Sequence, residues 1–183
     1  MFDSNIEFIH SLEYAFLVLL VFPFVSRFGA AIILTVPFML IDEWYQYTSL
    51  YPAFNTYFEF NDILMDIFGC GLMMSILKIY GVESDKSTPF YRRTEFFVML
   101  GGIALIFVLL YYCVIATYAN LVCENTLLVL NERKSPEPMW RLHEIRNVWY
   151  HVMKPGEALV VISTALIFYM GLDGFFTVAR GNK

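Results

Sequence analysis

Charge is scarce in this chain. Of its 183 residues, 16% are Asp, Glu, Lys or Arg, where soluble domains carry about 25%. The remainder is apolar to an unusual degree: 58% of residues are hydrophobic, and Phe and Tyr alone number 18 and 12. A water-soluble fold of this length has too much surface to hide so many apolar side chains. Basic tracts are also missing, and the net charge of −5 excludes a nucleic-acid binder. The three cysteines, Cys70, Cys113 and Cys123, are too few and too scattered to suggest a disulfide framework or a metal knuckle. Cys70 and Cys113 read as small packing residues inside apolar runs. Neither a His-Glu-x2-His zinc helix nor a Gly-x-Ser-x-Gly nucleophile elbow occurs. The opening MFDSNIEFIH has no Lys or Arg and no small-residue cleavage site, so the first apolar run is expected to stay in the mature protein. What survives these exclusions is an integral membrane protein.

A membrane-crossing helix needs about 20 mostly apolar residues. The runs here are continuous rather than alternating, which favours helices over a barrel. Five spans are expected, at about Ile6–Val25, Phe28–Tyr47, Phe60–Tyr80, Phe96–Ala116 and Ala158–Val178. Pro37 is a potential kink in the second. Seven basic residues, Arg27, Lys78, Lys86, Arg92, Arg93, Arg180 and Lys183, fall on one side, against five, Arg133, Lys134, Arg141, Arg146 and Lys154, on the other. The positive-inside rule then puts the N-terminus outside and the C-terminus in the cytoplasm. After Pro136 and Pro138, the residues Met139, Leu142, Ile145, Trp149, Val152 and Met153 recur at three- and four-residue steps. That period predicts an amphipathic helix, either lying in the outer interface or packing on the bundle's outer ends. The expected fold class is thus an all-α polytopic bundle with an outer amphipathic helix. It is read as one membrane domain over 1–183, with about 118–155 as its extracytoplasmic segment. Gly69-x-Gly71 and Gly101-Gly102 read as small-residue surfaces for close helix packing. His143 and His151 read as a solvated interfacial pair, and Asp173 as a residue that caps a contact with Arg180 or snorkels.

The polar residues within the spans are not scattered. His10, Glu13 and Tyr14 sit near the outer end of the first span, Asp42, Glu43 and Gln46 near that of the second, and Asn61, Asp62 and Asp66 near that of the third. Ionisable groups at membrane depth are costly and mark function by default. Residues three or four apart share a helix face, so each set can point into one cavity. Neighbouring carboxylates need a proton, a hydrogen-bond donor or a cation between them. His10 or Gln46 can donate, or a divalent ion can be held by Glu43, Asp62 and Asp66. Asp42 lies off the Glu43–Gln46 face and is assigned to the interface.

The segments FIHSLEY, IDEWYQY and FNDILMDIFGCG carry His10-x3-Tyr14, Glu43-x2-Gln46 and Asp62-x3-Asp66-x2-Gly69 in order. This pattern resembles the VanZ-like family of bacterial membrane proteins over roughly residues 6–80. The family's Asn is Asp66 here, its usual basic residue before the third helix is missing, and so is the leading helix many members have. The resemblance does not extend to 81–183, read as two further spans and the outer segment. It implies a bacterial cytoplasmic-membrane location and a three-helix core. One namesake is linked to reduced susceptibility to the glycopeptide teicoplanin, which ties the family to the cell envelope and antibiotic resistance. Two functions are expected on these grounds. One is a His/carboxylate site (His10, Tyr14, Glu43, Gln46, Asp62, Asp66) that binds or processes an envelope-lipid headgroup, with a divalent cation as its potential cofactor. The other is a non-catalytic subunit of a larger membrane complex.

Overall fold

A computed structural model describes residues 3–50, 57–84, 89–130, 140–143 and 148–175. Among them are five α-helices: α1 (Asp3–Val25), α2 (Phe28–Tyr45), α3 (Phe60–Ile79), α4 (Thr94–Tyr111) and α5 (Pro155–Phe175). Each corresponds to one of the expected apolar runs. Three of them are long and apolar enough to cross a membrane, over Phe28–Ser49, Thr94–Tyr111 and Pro155–Leu172. The apolar part of α1, Ile9–Val25, is shorter, and α3 carries Asp62, Asp66 and Lys78.

Local chemistry sets the helix ends. Ser26 takes a left-handed φ of 53° and its N–H returns to the Phe22 carbonyl at 2.7 Å. That residue closes α1, and only Ser26 and Arg27 separate it from α2. Gly81, at φ 86°, ends α3 with bonds from Gly81 N to Lys78 O and from Val82 N to Leu77 O, both 3.0 Å. This is a Schellman closure, where glycine carries no Cβ penalty. The end of α4 copies it, with Cys113 in the left-handed position at φ 56° and Val114 N bonded to Leu109 O at 2.8 Å. The fourth helix therefore stops at Tyr111, and Ile115–Ala116 forms a short strand, β1, parallel to β2 (Leu128–Val129).

The second helix touches all four others, and α3 packs against α1, α2 and α5, most extensively against α1. The buried core joins Val18, Ile32, Met39, Ile63, Ile67 and Met170. Gly69 lets α1 and α3 approach closely, since a Cβ there would collide with the Ser11 carbonyl. At Gly71 a Cβ would strike the Tyr169 ring of α5. At Gly101 and Gly102, by contrast, a Cβ would meet nothing among the described residues, so no packing surface is formed there by those residues. Both lie on α4, which is covered by the protein over little of its length.

The two ends of the bundle differ. At one, Arg27 Nε lies 3.3 Å from the buried Glu95, and Phe28 N donates to Ser84 Oγ at 3.3 Å. At the other, the polar ends of α1, α2 and α3 meet the segment after α4. There the Tyr47 hydroxyl donates to Val129 O at 2.8 Å, and Phe58 N donates to Leu130 O at 2.8 Å. Cys113 and Cys123 form a disulfide in this segment, which corrects the reading of Cys113 as a packing residue. Their spacing of 10 residues hid the pair, because the left-handed turn at Cys113 and the chain reversal are tertiary features.

The amphipathic helix expected beyond Pro136 is also corrected. Trp140–His143 (β3) and Val148–His151 (β4) form an antiparallel hairpin pairing Leu142 with Trp149 and Arg141 with Tyr150. Aromatic and β-branched residues such as Trp140, Val148, Trp149 and Tyr150 favour strands, and an isolated helix of about 12–15 residues is marginal. Pro136, Pro138, Met139 and Ile145 lie outside the described residues. Asn61 of α3 fixes the hairpin's exit, donating from Nδ2 to His151 O at 2.8 Å and accepting from Met153 N at 3.0 Å. In this arrangement His143 pairs with Val148 and His151 with Trp140, so the two histidines stand at opposite ends of the ladder.

Candidate functional site

Two adjacent antiparallel helices build the site. On α1, His10, Glu13 and Tyr14 lie three and four residues apart and so share a face. On α2, Asp42 and Gln46 do the same, and at Gln46 the helix relaxes into a single π turn, Gln46–Leu50. Such wide turns occur often at functional sites.

Asp42 is the hub. Its Oδ2 accepts from the Tyr14 hydroxyl at 3.4 Å and from Gln46 Nε2 at 3.3 Å. His10 Nδ1 lies 3.6 Å from the same oxygen and 3.4 Å from Glu13 Oε2. The structure thus brings together three of the sequence-derived candidates, His10, Tyr14 and Gln46, around a residue that sequence reasoning assigned to the interface. The signal was available: Asp42 and Gln46 are four apart, while the face chosen was that of Glu43.

The other candidates occupy different places. Glu43 is buried and accepts from Glu59 N at 2.8 Å. Glu59 is the residue preceding α3, so Glu43 occupies the positive end of that helix's dipole. Asp62 lies in the first turn of α3, where its own N–H donates to Glu59 O at 3.2 Å. Asp66 is 5% exposed, and its Oδ1 has no hydrogen-bond partner among the described residues. Among the described residues no group of three or more His, Cys, Asp or Glu is arranged to hold a metal ion. Asp173 falls in the last turns of α5, and Arg180 lies outside the described residues.

Between α1 and α2 the cluster opens into a groove of about 500 Å³. Its polar rim is Glu13, Tyr14, Asp42 and Tyr45, and Leu17, Phe38 and Ile41 continue it along the helices. A second polar contact lies on the hairpin side, where exposed His151 and Glu157 meet at 3.0 Å and Lys154 N donates to the same carboxylate oxygen at 2.9 Å. Nearby, burial and then the charge of Glu157 push the Tyr118 phenol above its ordinary value.

Fold and site together define a mostly helical protein with, among the described residues, three helices of membrane-crossing length and apolarity, and a polar-rimmed groove between α1 and α2. Comparison with family models, with curated proteins and with solved structures finds no match for the chain.

Proposed function

We propose that this is a VanZ-like protein of a bacterial cytoplasmic membrane that uses its His/carboxylate groove to bind or process the headgroup of a cell-envelope lipid, and so contributes to envelope integrity or antibiotic resistance. In this reading all five helices cross the bilayer, with the N-terminus, the Cys113–Cys123 segment and the hairpin outside. The observation that carries it is the convergence of His10, Tyr14 and Gln46 on Asp42 beside a groove whose lower wall is apolar. Polar groups of that kind are expensive at membrane depth unless something uses them. The disulfide supports the orientation, because such bonds persist in oxidising, extracytoplasmic surroundings.

The test is a density map of the protein purified with its native lipids. Lipid density against Asp42 and Glu13 is expected. A groove filled only by detergent or solvent, with Asp42→Asn cells unaltered in envelope-antibiotic susceptibility, removes the reading. Orientation is checked with a cysteine added beside Asp3: a membrane-impermeant maleimide should label it in intact cells.

The second reading is a non-catalytic subunit. The little-covered surface of α4, with Leu105, Phe107 and Val108 exposed, favours it, although acyl chains would cover the same surface. A defined partner copurifying in mild detergent, and lost on α4 substitution, would select it.

A further inference from the structure

The groove can be read further than its description as a headgroup site, and this inference rests on that reading. Glu13 from α1 and Asp42 from α2 both line it. Asp66 of α3, outside the groove's lining, is more than nine-tenths buried, has one oxygen without a hydrogen-bond partner among the described residues, and adds its charge to those of Asp42 and Glu13. Carboxyl groups gathered in this way repel until a proton or a cation comes between them. Among the described residues, the one basic side chain touching Glu13 or Asp42 is His10, whose Nδ1 makes no hydrogen bond at 3.4 and 3.6 Å. Among the described residues no Lys or Arg lines the groove. A site built for a bare phosphate would need those donors.

The walls discriminate between kinds of cation. A divalent metal needs several oxygen ligands at about 2.0–2.6 Å, and the described residues offer no such set. The groove instead puts two phenol rings, Tyr14 and Tyr45, next to two carboxylates. Aromatic faces with carboxylates are the standard surroundings of an organic ammonium. Below them Leu17, Phe38 and Ile41 extend the groove along the helices, and Phe38 and Ile41 are exposed on the flank that would meet acyl chains. An ammonium group above and an apolar track below describe one molecule: an amine-bearing phospholipid.

We infer that the α1–α2 groove selects phospholipids with a primary ammonium headgroup, held between Glu13 and Asp42 against Tyr14 and Tyr45, with one acyl chain along Leu17, Phe38 and Ile41.

Native mass spectrometry tests this. The protein is reconstituted with equal amounts of phosphatidylethanolamine and phosphatidylglycerol of matched acyl chains, then stripped in stages. Phosphatidylethanolamine should be retained about tenfold over phosphatidylglycerol, which corresponds to about 1.4 kcal/mol. The near-isosteric pair Glu13→Gln with Asp42→Asn should bring that ratio close to one. If the pair does not fold, Glu13→Gln alone, at an exposed position, should still lower the ratio about threefold. Equal retention of the two lipids by the unaltered protein would overturn the ammonium assignment and leave a lipid site standing. Retention of neither would remove the lipid site as well. An unchanged preference in the variants would place the selectivity elsewhere and overturn the inference.

Discussion

Replacing Gly69 by Ala should destabilise the bundle, although an alanine ordinarily favours a helix. On propensity alone Gly→Ala in a helix gains about 0.8–1 kcal/mol. At Gly69 the added Cβ meets the carbonyl, carbonyl carbon and Cα of Ser11. Those are backbone atoms of α1, so no rotamer change relieves the contact, and the two helices must separate. Overpacking costs about 1–3 kcal/mol; a collision with backbone belongs to the upper part, about 2–3 kcal/mol, so roughly 1–2 kcal/mol of net loss remains after the propensity gain. Gly102 supplies the internal control, because nothing lies near its Cβ position; Gly102→Ala should be neutral or slightly stabilising. In thermal unfolding of purified protein, followed by Trp fluorescence, a loss of 1 kcal/mol corresponds to about 2–4 °C for a chain of this size. Gly69→Ala should therefore unfold several degrees below Gly102→Ala. Ser11 follows His10 on α1 and lies one turn before Tyr14, so the same variant should also lose headgroup selectivity. Equal or higher stability for Gly69→Ala would refute the close α1–α3 contact and with it the geometry of the groove.

Other outcomes follow from single contacts. Asn61→Ala removes both bonds to the hairpin exit; at about 1 kcal/mol for each net bond, it should speed hydrogen exchange at the Met153 amide without unfolding α3. Tyr47→Phe deletes the donor to Val129 O and should lower stability by about 0.5–1.5 kcal/mol, read as a reduced unfolding temperature. Under non-reducing conditions the folded protein should take up no maleimide, since Cys113 and Cys123 are paired and Cys70 is buried. Mild reduction should expose two sites and denaturation the third; labelling of Cys123 before reduction would contradict the disulfide.

The helices were legible because their information is local. The apolar run from Phe28 predicts a helix to Tyr47, and α2 with its π turn covers that stretch; the run from Phe60 predicts Tyr80, and α3 ends at Ile79. The fourth run was read past its end because Cys113 and Val114 are as apolar as the residues before them, and only the left-handed turn at Cys113 shows that the helix has stopped. Part of the polar cluster was legible from spacing: His10, Tyr14 and Gln46 were named together, and the structure brings them to Asp42. Their meeting point was missed, because whether Asp42 or Glu43 faces α1 depends on how α2 is rotated about its axis.

Sequence alone determined that this chain is mostly helix and where its apolar helices run, because helix formation and burial of an apolar stretch depend on neighbours along the chain. Tertiary structure decided the rest. The residues from Trp140 to His151 suit a helix or a hairpin, and the pairing of Leu142 with Trp149 together with the clamp from Asn61 accompanies the hairpin. The Cys113–Cys123 bond and the role of Asp42 likewise depend on partners distant in the chain or on another helix, and a contact between such groups exists only once packing has fixed the rotation and depth of each element.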